Sequence, residues 1–211
     1  LTPMENPTVE AEMRHLLPID FVVARLVSSA DDSRQRLIDY AERAAEVVGQ
    51  FGEMKVGAIG FACTASSYLI GRDREQEIAA AFPLPFLFAA AAIRQRLATQ
   101  KARRIAIISP YPQPLHQAGL SYWQDAGLEI AYEARIDTGS SDTRAIYRLD
   151  GREAEASIEE AKRQAPDAIL LSGTGMPTLR LLDPEGDPPI LSSNLCLAAS
   201  LAAAVETKCV H

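Results

Sequence analysis

Apolar residues gather in short, unbroken runs along this chain, and segments with apolar residues at helical spacing separate the runs. Unbroken runs of about four to eight apolar residues are typical of parallel strands that are covered on both faces. The predicted strands are Ile19–Leu26, Val56–Ala62, Pro85–Phe88, Arg104–Ser109, Leu128–Ala134, Asp167–Ser172 and Pro189–Ser192.

The segments between the strands predict helices. They are Ala30–Phe51, Glu75–Ala81, Ala89–Gln100, Leu115–Ala126, Arg152–Gln164 and Asn194–Glu206. The Asp31-Asp32 pair suits the start of the first, because carboxylates stabilise helix N-termini. Thr8 could cap a further helix near the start of the chain. Alternation of strands and helices with short loops predicts an α/β fold with a doubly wound parallel sheet.

The same order of elements occurs twice. Ile59-Gly60-Phe61-Ala62 leads into Cys63-Thr64, and Ile169-Leu170-Leu171-Ser172 leads into Gly173-Thr174. Each copy continues through a small-residue loop and a helix to a proline-led strand and an Ala-rich helix. Many α/β proteins repeat elements in this way. The repeat also predicts two facing lobes, with Cys63 on one wall of the cleft and Gly173 on the other.

Length and charge narrow the function classes. The 211 residues can bury a sizeable core, and the net charge of -7 argues against a general nucleic-acid or membrane-surface binder. No apolar run reaches the length of a membrane span, and no signal peptide is visible. The three cysteines do not form a disulfide framework or a metal-ligand pattern, so we expect a reduced, cytoplasmic setting. Because the chain begins with Leu1, we expect a short segment to precede it.

Cys63 is the residue that most suggests chemistry. It follows a buried strand at the carboxyl edge, where open α/β sheets form their ligand crevices. A helix N-terminus or a cluster of hydrogen-bond donors can lower the pKa of such a thiol into the working range. The alternative for Cys63 is a buried structural thiol. Tyr111 and Asn194 also follow strands, although capping alone would explain Asn194.

The remaining polar residues of interest have simpler interpretations. Cys196 is predicted to be a small core residue, Cys209 to have no function, and Trp123 to pack in the core. His15 and His211 are expected on the surface, and His116 fits a helix surface better than the mouth of the cleft. The sequence has no glycine-rich phosphate loop, paired-carboxylate site or metal cluster, which disfavours nucleotide and metal enzymes.

Five short motifs together resemble the aspartate/glutamate racemase superfamily. They are Asn6-Pro7-Thr8-Val9-Glu10, Ala62-Cys63-Thr64-Ala65-Ser66, Ser109-Pro110-Tyr111, Leu171-Ser172-Gly173-Thr174 and Ser192-Ser193-Asn194. The branch with maleate cis-trans isomerase and arylmalonate decarboxylase is the most similar. The resemblance implies two similar doubly wound parallel-sheet lobes related by a pseudo-twofold axis, with the active site between them. Residues 1–88 and 194–211 would form the first lobe, and residues 89–193 the second.

The resemblance also implies a chemistry. Members of this superfamily form a carbanion or enediolate beside a carboxylate without a metal or cofactor. It implies Cys63 as the catalytic residue and a small carboxylate as the substrate. The substrate-binding residues would be Asn6, Thr64, Ala65, Tyr111, Gly173, Thr174, Gly175 and Asn194. Neither a metal nor a cofactor is expected.

The chain departs from the superfamily at Gly173, where racemases carry a second cysteine. Arylmalonate decarboxylase also has one thiol, but on the other lobe. A single thiol can protonate an enediolate after CO₂ has left, or attack an activated alkene, so a decarboxylase and an isomerase both stay open. An amino-acid or hydantoin-type racemase and a non-catalytic, two-lobed carboxylate-binding protein are the alternatives. We expect no nucleic-acid or membrane partner and leave a homo-oligomer open.

Overall fold

The computed structural model describes the backbone of residues 1–209 and the side chains of residues 1–207, so the expectations for Cys209 and His211 lie outside its described side chains. The strands are β1 (Thr2–Pro3), β2 (Arg25–Leu26), β3 (Ile59–Phe61), β4 (Phe86–Phe88), β5 (Arg104–Ser109), β6 (Glu129–Arg135), β7 (Ala168–Leu171) and β8 (Ile190–Ser192). The helices are α1 (Thr8–Leu16), α2 (Ser33–Glu42), α3 (Ala44–Val48), α4 (Thr64–Ala80), α5 (Ala89–Thr99), α6 (Gln113–Asp125), α7 (Glu155–Arg163) and α8 (Ser193–Cys209).

The second half of the chain forms a four-stranded parallel sheet in the order β6-β5-β7-β8. Its two central strands, β5 and β7, are buried almost throughout, as their unbroken apolar sequences predict. Short loops return each helix to the sheet, as in a doubly wound fold.

The first half repeats this strand order. β1 pairs in parallel with β2, and β3 pairs in parallel with β4. Two backbone hydrogen bonds join the pairs, from Leu1 N to Gly60 O (2.5 Å) and from Ala62 N to Leu1 O (2.8 Å). The order β2-β1-β3-β4 therefore matches β6-β5-β7-β8, and the expected two-lobed α/β architecture is confirmed. The last helix, α8, packs against α1, β3 and β4 of the first half. The exact lobe boundaries stay a prediction.

Several predicted elements of the first half are wrong in extent, among them the strand predicted over Val56–Ala62, which forms only β3. The strand expected over Ile19–Leu26 is reduced to β2, because its partner β1 offers only Thr2 and Pro3 for pairing. The helix expected over Ala30–Phe51 is divided at Arg43, whose backbone leaves the helical region, and it ends in a 3₁₀ turn at Gly49–Phe51. It begins at Ser33 instead of Ala30, but the predicted role of the Asp31-Asp32 pair at the helix start is confirmed, since Asp32 is the N-cap and accepts a hydrogen bond from Gln35 N at 2.8 Å.

Helix α4 begins at Thr64, well before the predicted start at Glu75. Small residues fill its first turns, so the amphipathic pattern that predicts helices is missing there. The helix is broken at Gly71, where φ is +77°, a conformation that glycine adopts without steric cost. The early start places Cys63 directly before the first turn. Within residues 1–209, none of the helices combines the length and the hydropathy that a membrane crossing requires.

Candidate active site

Cys63 lies at the junction of β3 and α4. It holds the N-cap position of α4, with an extended backbone (φ −150°, ψ 94°). The backbone N–H groups of Ala65 and Ser66 lie near its sulfur and act to lower the pKa of the thiol, although no capping hydrogen bond reaches the side chain. These N–H groups belong to the first helical turn, which has no preceding carbonyls to bind them. The thiol therefore lies at the positive end of the helix dipole.

A cavity of about 220 Å³ lies between the two halves and includes Cys63 in its wall. From the first half it is also lined by Asn6, Arg36, Tyr40 and Ala65, and from the second by Tyr111, Tyr147, Thr174 and Gly175. A second cavity of about 360 Å³ has a mostly apolar lining that includes Val9, Met13 and Leu201, and it does not reach Cys63. Five of the predicted site residues therefore share the cavity with Cys63: Asn6, Ala65, Tyr111, Thr174 and Gly175.

Burial raises the pKa of the Cys63 thiol, and the Ser66 hydroxyl and the N–H groups of Ser66 and Ala65 offset only part of this effect. The Ser66 hydroxyl has one proton, and its oxygen lies 2.6 Å from Leu37 O and 3.3 Å from Cys63 Sγ. The carbonyl and the sulfur compete for that proton, so the thiolate gains little from it. The expectation of a lowered pKa is wrong, because desolvation dominates. At neutral pH Cys63 is a protonated thiol.

Tyr111 faces the cavity with its hydroxyl 2.7 Å from Thr64 Oγ1. Burial raises its pKa well above the ordinary value, so the phenol keeps its proton at neutral pH. The two hydroxyls share one hydrogen bond, which uses one of their two protons. One hydroxyl is thus left to donate to a bound group. Thr64, a predicted binding residue, is fully buried and does not line the cavity itself.

Gly173 has a backbone that only glycine adopts readily, with φ +121°. A Cβ atom at this position would lie 3.2 Å from Pro110 Cδ and 3.4 Å from Tyr111 Oη. Its N–H donates to Ser193 Oγ at 3.0 Å and is not available to a ligand. The space that a second thiol would need is therefore occupied by Pro110 and the Tyr111 hydroxyl.

Asn6 ties the two halves together beside the cavity. Its Oδ1 accepts from the N–H groups of Thr8 (3.0 Å) and Val9 (3.4 Å), and its Nδ2 donates to Thr174 Oγ1 (3.4 Å). The expectation that Thr8 caps α1 is wrong, since Pro7 holds the N-cap position and Asn6 supplies the capping oxygen. Thr8 Oγ1 instead donates to Gly175 O at 2.7 Å.

Asn194 does not line the cavity, although it was a predicted binding residue. Its Nδ2 donates to Glu12 Oε2 (2.7 Å) and to Thr174 O (3.1 Å). Glu12 is only 2% exposed and also accepts from Thr178 N, Thr178 Oγ1 (3.0 Å) and Leu179 N (3.1 Å). This carboxylate holds the loop after β7 in place. The sequence could have predicted this burial, because Glu12 follows Val9 by three residues and so shares the apolar face of α1.

Sequence reasoning also missed Arg36, Tyr40 and Tyr147, which line the cavity. Arg36 is 7% exposed and donates through Nη2 to Ser33 Oγ and Asp142 Oδ1, each at 2.9 Å. Burial raises the pKa of Tyr40 to about 12 and also raises the pKa of Tyr147. The signal for Arg36 and Tyr40 was their spacing of four residues, which places them on one face of α2.

The histidine and thiol expectations outside the cavity have mixed outcomes. His116 is buried, which corrects its expected surface position, because its Nδ1 pairs with Ser109 Oγ at 2.7 Å. Burial lowers the pKa of His116, and it does not line the cavity. Cys196 is buried as predicted, and so is Trp123. Within the described part of the chain, no group of three or more His, Cys, Asp or Glu residues has a metal-binding arrangement.

Comparison with known proteins supports a relationship over nearly the whole chain. Residues 12–209 match the arylmalonate decarboxylase family model. The maleate isomerase of Pseudomonas putida is 21% identical over 227 residues, which cover 98% of this chain and 90% of that protein.

Solved structures show the same fold. A mutant of the Nocardia farcinica maleate cis-trans isomerase with a covalently bound succinylcysteine intermediate superimposes with a TM-score of 0.83 at 20% identity, covering 97% of this chain and 90% of that one. The maleate isomerase of Pseudomonas putida S16 gives 0.85 at 19% identity, with the same coverage. Arylmalonate decarboxylase gives 0.72 at 21% identity and covers 96% and 90% of the two chains.

Proposed function

Because the chain belongs to the arylmalonate decarboxylase family, we propose that it is a cofactor-independent enzyme whose one cavity thiol, Cys63, acts on a small carboxylate. The observation that carries this proposal is the asymmetry of the cavity. Cys63 lines the cavity from the first half, and the second half contributes the phenol of Tyr111 instead of a second thiol. The corresponding residue of the second half, Gly173, has no side chain, does not line the cavity and packs against Tyr111.

Decarboxylation is the reaction that this arrangement favours. The bond between the α-carbon and one carboxylate of a malonate-type substrate breaks, CO₂ leaves, and the electron pair stays as an enediolate. The S–H proton of Cys63 then moves to the α-carbon, and the thiolate regains a proton from solvent. A thiol whose pKa is raised by burial is protonated at neutral pH and can serve as this acid.

The enediolate needs donors that are already in place when its charge develops. The hydroxyl that the Tyr111–Thr64 pair leaves free can supply one such donor. The positive end of α4 adds to this stabilisation, and the N–H groups of Ala65 and Ser66 favour the Cys63 thiolate that protonation of the carbon leaves behind. Asn6, Thr174 and Asn194 have most of their polar groups paired within the protein. We assign these three the role of shaping the cavity.

Cis-trans isomerisation is a second candidate. Here Cys63 would add to the alkene of an unsaturated dicarboxylate, the former double bond would rotate, and elimination of the thiol would give the other isomer. The succinylcysteine intermediate in the Nocardia farcinica relative is an adduct of this type. The buried thiol must lose its proton before such an attack, which is the step that its raised pKa makes less favourable.

Product analysis separates the two reactions. The protein is incubated with maleate and, separately, with an α-aryl-α-methylmalonate. Decarboxylation predicts CO₂ and a single enantiomer of the arylpropionate, because protonation comes from the Cys63 side only. Isomerisation predicts fumarate from maleate. Turnover that persists in Cys63→Ser would refute both reactions, and tight carboxylate binding without any turnover would instead support a non-catalytic carboxylate-binding protein.

The cellular setting belongs to the proposal as well. Cys63 and Cys196 are free thiols in the described part of the chain, which suits a reducing, cytoplasmic compartment. A homo-oligomer stays a prediction.

A further inference from the structure

Arg36 has hydrogen-bonding capacity that the protein leaves unused. Its Nη2 reaches Ser33 Oγ and Asp142 Oδ1. A guanidinium carries five N–H donors, and among the described residues the three on Nε and Nη1 find no acceptor. Arg36 is 7% exposed and lines the cavity of Cys63. Neither Nε nor Nη1 is a buried atom without a partner, so both can be reached from the cavity and their N–H groups suit a ligand that enters it.

Arg36 and Cys63 are joined by a short chain of contacts. The carbonyl of Leu37, the residue after Arg36, accepts from Ser66 Oγ at 2.6 Å, and Ser66 Oγ contacts Cys63 Sγ at 3.3 Å. Arg36 and Cys63 also line the same cavity, together with Tyr40 and Tyr147. The guanidinium and the thiol therefore face a common space.

Arg36 is the most buried of the charged groups beside the cavity. Asp142 is shared between two arginines, since it also accepts from Arg144 Nη2 at 2.5 Å and Nε at 2.8 Å. The acids in the cavity wall itself are Glu5, whose carboxylate lies 3.5 Å from Arg144 Nη1, and Asp31. Both of these are exposed, where water screens their charge.

We propose that Arg36 binds a carboxylate of the substrate that does not react, so that the enzyme selects acids with an additional anionic group. A carboxylate that leaves as CO₂ loses its charge, and a guanidinium bound to it would oppose the reaction. The bound group is therefore one that persists. In decarboxylation it lies on the side chain beyond the malonate carbon, and in isomerisation it is the carboxylate distant from the attacked carbon. The planar guanidinium suits two parallel hydrogen bonds to it.

Binding of two unreactive acids of equal chain length tests this assignment. The probes are succinate, with two carboxylates, and butyrate, with one, measured by titration calorimetry. We expect succinate to bind the unmodified protein more tightly than butyrate. Arg36→Gln should weaken succinate binding about 30-fold or more, the loss expected for a charged hydrogen bond, and change butyrate binding less than about threefold. Arg34→Gln removes a charge from an exposed position of the same helix and should change neither.

Equal affinity for the two acids in the unmodified protein would overturn the proposal, as would an equal loss of both in Arg36→Gln. Thermal unfolding of the variant shows whether it is folded. If it is not, Arg36→Lys is used, because it keeps the charge and loses the planar donor pair. We then expect a smaller loss of affinity that is confined to succinate. Unchanged succinate affinity in Arg36→Lys would argue against the role of Arg36.

This assignment rests on the proposed function in one respect, namely which carboxylate reacts. The binding test does not need turnover. If the protein selects succinate through Arg36 but has no activity, the role of Arg36 in carboxylate binding is supported and the proposed enzymatic function is refuted. If Cys63 instead supported turnover of a substrate without an additional carboxylate, and Arg36→Gln left that turnover unchanged, the enzymatic function would be supported and the role of Arg36 refuted.

Discussion

The hydroxyl oxygen of Tyr111 lies 3.4 Å from the point that a Cβ atom on Gly173 would occupy. The position of the second half that corresponds to Cys63 is therefore a glycine with a phenol packed against it, and the two halves contribute one thiol and one buried hydroxyl to the cavity. Tyr111 is 4% exposed and the backbone of Gly173 has a positive φ, so neither group has room to move freely. A thiol introduced at Gly173 would therefore contact the Tyr111 hydroxyl.

Gly173→Cys should create a strained second acid. The positive φ and the 3.2 Å approach to Pro110 should lower the free energy of unfolding by about 1–3 kcal/mol. A sulfur that displaces the Tyr111 hydroxyl would bring a proton donor from the second half to the cavity, so slow exchange of the α-proton should appear. The measurement is deuterium uptake from D₂O with loss of optical purity of an α-aryl acid.

Gly173→Ala is the matched control for this variant. It introduces the same strain without a thiol, so its stability should fall equally and no racemisation should appear. Racemisation by the unmodified protein at the rate of Gly173→Cys would show that another residue already serves the second side.

Cys63→Ser should lower kcat by about 10²–10⁴-fold and leave the fold intact, because the serine hydroxyl is a far weaker acid than the thiol and differs little in size. Cys196→Ser is the control, since Cys196 is another buried thiol and does not line the cavity. That variant should lose stability and keep its activity per folded molecule. The measurements are steady-state kinetics and thermal unfolding of both variants. A normal kcat in Cys63→Ser would contradict the proposal.

Alkylation of Cys63 should be slow at neutral pH. Burial raises its pKa above the ordinary 9.0, so the thiolate fraction at pH 7 is smaller than in an unfolded chain, and the rate should still be rising above pH 9. Because the native thiol holds its proton more tightly than the unfolded one, the free energy of unfolding should fall as the pH rises above about 9.

Peptide-resolved mass spectrometry after treatment with iodoacetamide follows each thiol separately. Cys196, whose pKa is raised to about 12, should stay unmodified over the same pH range. If Cys63 is alkylated faster in the native protein than in urea at pH 7, its pKa is not raised by folding.

Glu12→Gln should destabilise the protein by about 2–3 kcal/mol. The carboxylate accepts hydrogen bonds from Thr178, Leu179 and Asn194, and an amide replaces one of its two accepting oxygens with a donor. Glu10→Gln on the same helix is the comparison. Glu10 pairs with Arg25 at a partly exposed site, and its loss should cost less than about 1 kcal/mol. Equal losses in urea unfolding would show that Glu12 does not hold the loop.

The sequence by itself determined the order of elements and the place of the thiol. Apolar runs such as Ile105–Ile108 are buried in any parallel sheet, and residues that directly follow such strands must meet at the carboxyl edge. That rule placed Cys63 and Tyr111 beside one cavity. The repeat of strand, small residue and strand also predicted two facing halves, because similar sequences in the same order build similar sheets.

Only the tertiary structure decided how the polar residues are used. The burial of Glu12 and Arg36 depends on contacts between distant segments, with Asn194 and Asp142, which no local pattern records. The same holds for the raised pKa of Cys63, since desolvation is set by every chain segment that covers the sulfur. Asn194 shows the difference most clearly. It follows its strand as predicted, yet its amide is bound by Glu12 and the Thr174 carbonyl, and long-range packing alone determines that choice.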